Sequence, residues 1–227
     1  MMPSALRETW RIDHCRAGVV GALVIGQIFF LVYLWQLNVA KSMLFALGAG
    51  LPVAVACYGL LARPGNKRCV QSLAVMFAAG GFGMLLGCVV DFGPLGLYGL
   101  LGLCRSWASS ALWPGPADLW LMTNRMPWAC FGMLAGGNAG MVLFDALDRR
   151  RAQSVGHRIG FYGVCNAGML LGMVIAEHAV TRLALDLDQE VAAALTVVAM
   201  LAGMAMGMSS LLSLAMRLPA IGRAFAV

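Results

Sequence analysis

The sequence predicts an all-α integral membrane protein with about six transmembrane helices, the last four forming a tight bundle packed through Gly-xxx-Gly faces. Three observations predict it. Of 227 residues, 61% are hydrophobic and 11% charged, where soluble domains carry roughly a quarter charged. Apolar runs of about 20 residues, the length needed to cross a bilayer, fall at 17–36, 43–62, 73–90, 127–147, 159–180 and 191–216. The third observation is a repeated word: Gly-Met-Leu-Leu-Gly at 83–87 and again at 168–172, Gly-Met-Leu-Ala-Gly at 132–136, and Gly-Met-Ala-Met-Gly at 203–207. Helices satisfy their own backbone groups in lipid, and no segment has the period-two alternation of a membrane barrel strand.

Residues 1–16 carry Arg7, Arg11 and Arg16 and read as a cytoplasmic N-terminal segment. The first apolar run follows a leader of that length with no small-x-small cleavage site close behind, so it reads as a retained helix rather than a secretory signal. With the run at 43–62 it makes transmembrane helices one and two, spanning 17–62. From 73 to 104 the chain is too long for one straight span, and Pro94 breaks a helix, so the third is expected to end near Asp91. The connection at 105–126 holds Trp107, Trp113 and Trp120 around Pro114 and Pro116, with Trp128 just after. Amphipathic rings gather at headgroup depth, so this loop is expected to lie along the outer interface. Residues 73–216 then form a four-helix unit with that loop inserted, and 217–227 a cytoplasmic tail.

Basic residues between spans fix the orientation. With both termini in the cytoplasm, twelve of the sixteen Lys and Arg fall inside, including Arg149, Arg150 and Arg151, and only Lys41, Arg105, Arg125 and Arg182 fall outside. The pattern is that of a bacterial-type inner membrane. The net charge of +6 is accounted for by loops beside anionic lipid headgroups and calls for no nucleic acid.

Glycines four apart share a helix face and let two backbones approach closely in lipid. Each of the last four spans carries one such ridge: Ala79, Gly83 and Gly87; Gly132, Gly136 and Gly140; Gly168, Gly172 and Ala176; Ala199, Gly203 and Gly207. Spans three to four and five to six are thereby candidate pseudo-symmetric hairpins.

The ridge one residue further on carries sulfur. Its members are Met76, Met84 and Cys88; Met133, Met141 and Asp145; Met169, Met173 and Glu177; and Met200, Met204 and Met208. Thioether sulfur is a soft ligand that prefers Cu(I) over hard ions, and methionines four apart form a ladder along a helix. The Met-xxx-Met spacing is similar to the ladder of eukaryotic copper transporters over these few residues, without their helix count or Met-rich outer tail. Glu177 stands on the Met169 and Met173 ridge, and His178 lies about 100° around the helix from it, so Cys88, Glu177 and His178 form the expected mouth of a metal path. Methionine also fills irregular gaps beside glycine, and packing alone is the competing account of the same ridges.

Asp91, Asn138 and Asn166 are the other polar groups in or near the spans, and with Gln27 their usual work is interhelical hydrogen bonding. Asp145 precedes Arg149 by four residues, the spacing of an ordinary ion pair. The seven cysteines show no metal-finger spacing, and no hydrolase, phosphate-loop or dinucleotide motif occurs in a usable context. An enzyme is not expected. Three functions remain: a protein that binds or transports a soft metal ion, with Cu(I) as its cofactor or cargo; a structural or accessory subunit whose glycine faces dock a membrane partner or a second copy; and a small transporter or channel for a nonmetal solute.

Overall fold

The computed structural model describes residues 4–36, 68–96, 98–100, 115–147, 155–183 and 188–217, with Gly48 and Gly102 as single positions. Among these residues the regular structure is helical and there is no strand. The helices are α1 (Ser4–Gln36), α2 (Arg68–Phe92), α3 (Pro116–Arg125), α4 (Pro127–Leu147), α5 (Val155–Leu183) and α6 (Gln189–Arg217). All but α3 are long and apolar enough to cross a membrane, through Ala17–Trp35, Gln71–Phe92, Pro127–Ala146, Arg158–Val180 and Val191–Ala215. The chain is therefore an all-α membrane protein, and these five segments coincide with five of the six apolar runs. The sixth run, 43–62, lies outside the described residues apart from Gly48.

Local chemistry sets the helix ends. α2 stops at Phe92 and passes into a 3-10 turn, Gly93–Leu95, one residue beyond the break expected at Asp91. Gly93 and Gly96 have φ of 45° and 52°, the left-handed region that glycine enters without a Cβ clash, and Pro94 between them has no N–H to continue the ladder. α3 starts from the extended Gly115 with Pro116 at its first position, where the missing N–H costs nothing. The Asp118 carboxylate accepts the Gly115 N–H at 2.6 Å, closing the reach-back half of a capping box. α3 ends where Met126 donates its N–H to the Met122 carbonyl at 2.8 Å, and Pro127 opens α4.

The chain divides into two compact units, Met1–Val90 with Trp128–Arg151, and Asp91–Pro127 with Ala152–Val227. In the first, α2 and α4 lie backbone to backbone. A Cβ added to Gly83 would strike the Gly132 carbonyl, one on Gly87 the Trp128 carbonyl, and one on Gly136 would come within 2.5 Å of the Ala79 oxygen. Each step of four forward on α2 is matched by a step of four backward on α4, so the pair is antiparallel. α1 packs on α2 running parallel to it. Ala17 and Val20 meet Val75, Ala78 and Phe144 in one apolar cluster, Gln27 Nε2 donates to the Ala78 carbonyl at 2.7 Å, and Phe30 meets Phe82 edge to face with centroids 5.4 Å apart.

In the second unit α5 and α6 make the corresponding seam, and α3 rests on α5. Gly168 faces Gly207 and Gly172 faces Gly203, with Ala176 beside Gly203. The pair is again antiparallel. The four copies of the repeated word thus form two seams, 83–87 with 132–136 and 168–172 with 203–207. The glycine stripes are what permits each approach: any side chain at those positions would push one backbone off another.

Candidate functional site

Residues next to a seam lie on one of its two edges, and helix geometry says which. A step of one residue turns about 100° around a helix. In an antiparallel pair, one step forward on both helices turns to the same edge, whereas in a parallel pair it would turn to opposite edges. Side chains also tilt toward the N-terminus of their helix, so the residues following two facing glycines lean back toward the level of that contact. In the second unit this places Met169 and Met208 on one edge at the level of the Gly168–Gly207 contact, Met173 and Met204 at the level of the Gly172–Gly203 contact, and Glu177 and Met200 one turn beyond.

Burial bears the construction out. Met169, Met173, Glu177, Met200, Met204 and Met208 are all 4% exposed or less. One step backward, on the opposite edge, Ala167, Leu171, Ile175, Val198, Ala202 and Met206 are all exposed. The α5–α6 pair has one thioether edge that is shut away and one apolar edge that is open, as a lipid-facing side would be.

The first unit has the same handed arrangement. Met84 and Met133 follow the facing Gly83 and Gly132, Met76 and Met141 lie two turns away, and Cys88 follows Gly87. These five side chains are 2% exposed or less. Gly80 and Gly137 occupy the turn between the two methionine pairs. On the opposite edge, α1 covers Ala78 and Phe82, while Leu86, Phe131, Ala135, Ala139 and Leu143 are exposed.

The sequence-predicted site residues therefore fall into two groups. Met84, Cys88, Met133 and Met141 belong to the first unit, and Met169, Met173, Glu177, Met200, Met204 and Met208 to the second. Cys88 and the Glu177–His178 pair, read together as one metal mouth, belong to different units. His178 is half-buried while Glu177 is buried. Asp91, Asn138 and Asn166 are half-buried, with Asn138 in the first unit and the other two in the second. Among the described residues no three His, Cys, Asp or Glu gather closely enough to hold a metal ion, so any ligand set rests on thioethers with at most one or two of those groups. Cys15, Cys88, Cys130 and Cys165 are thiols rather than half-cystines.

Sequence reasoning passed over Met122 and Met126. Both are fully buried in the second unit, while Trp120 and Trp128 beside them are 67% and 55% exposed. Their spacing of four, at the end of a ten-residue helix with a proline start and at the residue that caps it, was the one signal that this stretch has an inner and an outer face. Comparison with protein-family models, with characterised proteins and with solved structures finds no match to this chain.

Proposed function

We propose that this polytopic membrane protein binds a soft monovalent cation of the Cu(I) class on the thioether edge of the α5–α6 pair, and that its function is the handling of such an ion within the bilayer. The observation that carries the reading is that five methionines and one glutamate placed along a single edge of the pair are all buried. Thioethers select Cu(I) over hard ions, and among the described residues a hard divalent ion finds no cluster of oxygen and nitrogen ligands. A buried carboxylate is costly in a span, and Glu177 adds the one acidic side chain on this edge. The expected setting is a bacterial-type cytoplasmic membrane with both termini inside.

A second reading has its own observation. Every methionine on the edge follows a seam position by one residue, where an absent side chain leaves a gap that a flexible thioether fills. On that account the protein is a close-packed helical scaffold and the sulfurs bind nothing. Its glycine faces are already used inside the chain, so a partner would dock elsewhere.

Elemental analysis of detergent-purified protein after exposure to Cu(I) separates the two. Retained copper that disappears when Met169, Met173, Met200 and Met204 are changed to Leu supports the binding reading. A folded wild type without copper supports the scaffold and overturns the metal.

A further inference from the structure

α3 has two sides of different chemistry. At about 100° per residue, Ala117, Trp120 and Asn124 fall within about 60° of one another on one side of the helix, and Met122 and Met126 fall nearly opposite. Burial follows the same division. Met122 and Met126 are fully buried and Trp120 is 67% exposed, with Ala117 and Asn124 exposed beside it. The inner side has protein to rest on, since α3 packs on α5. The outer side presents a large aromatic ring in the middle of the helix, flanked by a small residue and an amide.

Chain continuity sets the height of this ring. Met126 is followed directly by Pro127, the first residue of the membrane-length segment Pro127–Ala146. Met126 itself leaves the helical region, with φ of −129° and ψ of 58°, so α3 and α4 are not one continuous rod. The headgroup region is roughly 5–8 Å deep on each side of the hydrocarbon core. An upright α3 would carry Trp120 about 9 Å beyond Met126 at 1.5 Å per residue, to the water side of that region. A helix lying along the surface keeps the ring inside it, at the depth where amphipathic aromatic rings collect.

We propose that α3 is a membrane-surface helix lying in the lipid headgroup layer of the leaflet in which α4 begins, with Met122 and Met126 toward the protein and Ala117, Trp120 and Asn124 toward lipid. The occupant of the outer side is the headgroup and glycerol layer of the bilayer that the chain spans, not a soluble partner. The indole ring meets the upper acyl chains, and its N–H donates to ester or phosphate oxygens. Because α3 rests on α5, this anchor holds α5 at a fixed depth. It does so whether or not the thioether edge binds an ion.

Trp120 is made the only tryptophan by changing Trp10, Trp35, Trp107, Trp113 and Trp128 to Phe, and the full-length chain is placed in phosphatidylcholine vesicles. Bromine atoms on the acyl chains quench indole emission on contact. With lipid brominated near the glycerol end the emission is expected to fall by about half, and with lipid brominated near the chain methyl to fall less. Stronger quenching from the methyl end places the ring in the hydrocarbon core and overturns the proposal. Quenching by aqueous iodide, with none from either lipid, shows a helix standing in water and also overturns it. No quenching by either lipid or by iodide shows the outer side covered by protein, a second copy or another segment of this chain, and overturns it as well. Where that variant fails to elute as folded protein, a nitroxide on Trp120→Cys in a cysteine-free chain gives the same decision. Comparable collision with dissolved oxygen and with a water-soluble nickel chelate is expected at headgroup depth; collision dominated by nickel, or with neither, overturns the lipid contact.

Discussion

A glycine in a helix is destabilising by about 1 kcal/mol relative to alanine, so its presence at a given residue asks what it prevents. At Gly172 it prevents a Cβ from striking the Gly203 carbonyl; at Gly163, further back along the same helix, nothing lies within 4 Å. The same substitution should then have opposite signs. Gly172→Ala forces two backbones apart and is expected to cost about 1–3 kcal/mol, the range for overpacking a tight contact. Gly163→Ala is expected to be neutral or to stabilise by up to about 1 kcal/mol. Thermal unfolding of the two variants in detergent, followed by loss of the monodisperse gel-filtration peak, checks both; equal effects would mean that the seam is not where the strain lies. Gln27 offers a polar counterpart. Its hydrogen bond to the Ala78 carbonyl joins α1 to α2, and Gln27→Met, which keeps the length of the side chain, should cost about 0.6–2 kcal/mol, as interhelical hydrogen bonds in membranes do. A Tm unchanged by that substitution would remove the bond from any part in holding α1.

At the scale of elements, α3 depends on its start. Ten residues are too few for a stable isolated helix, and what fixes this one is Pro116, the Asp118 carboxylate on the Gly115 N–H, and the burial of Met122 and Met126. Asp118→Ala should loosen its first turn by about 1 kcal/mol, a usual cost of losing a capping side chain. The emission of Trp120 in a chain lacking the other tryptophans reports it, and an emission maximum and quenching identical to the parent would show that the cap is dispensable. The five membrane-length helices were legible because a run of about 20 apolar residues matches the thickness of a bilayer's hydrocarbon core. The α2 break was legible because Pro94 and its flanking glycines act locally. The edges were harder to read. A glycine stripe says that two helices touch without saying which two; the hairpins expected of spans three with four and five with six agree with the pairing of 83–87 with 132–136 and 168–172 with 203–207, but the residue register needed the fold. Once the pairing and its antiparallel sense are known, the buried edge follows from a turn of about 100°. That Met173 and Met204 are buried, while Met206 two residues on is exposed, is a fact of register rather than of composition. Met122 and Met126 were missed for a related reason: Trp120 and Trp128 on either side of them drew the reading of the stretch toward an interface, and the inner face of a short helix leaves only two residues of signal.

For the whole molecule the orientation of neighbouring helices carries the strongest prediction. Contacts between α1 and α2 advance together, from Ala17 and Val20 against Val75 to Phe30 against Phe82, so the two run in the same direction through the membrane. Basic residues agree with this, since Arg16 precedes the first span and Arg68 opens α2, and such residues are retained on the cytoplasmic side, where both starts are predicted to lie. Two parallel spans consecutive among the described helices require the chain joining them to return to the side it left, and 43–62 is the apolar length the sequence offers for that crossing. α2 with α4, and α5 with α6, are antiparallel. If 43–62 crosses, the count is even and both termini are expected on one side. Single cysteines placed at Lys41 and Asn124 in a cysteine-free background should react with a membrane-impermeant maleimide in intact cells. Cysteines placed at Asn66 and Arg150 should react only after the membrane is opened. The Lys41 and Asn66 pair decides the matter. If both label from the same side, 43–62 does not cross and the chain has an odd number of spans. If they label from opposite sides, with Lys41 outside, the orientation read from the arginines holds, and the Glu177 end of the α5–α6 thioether edge opens toward the cell exterior.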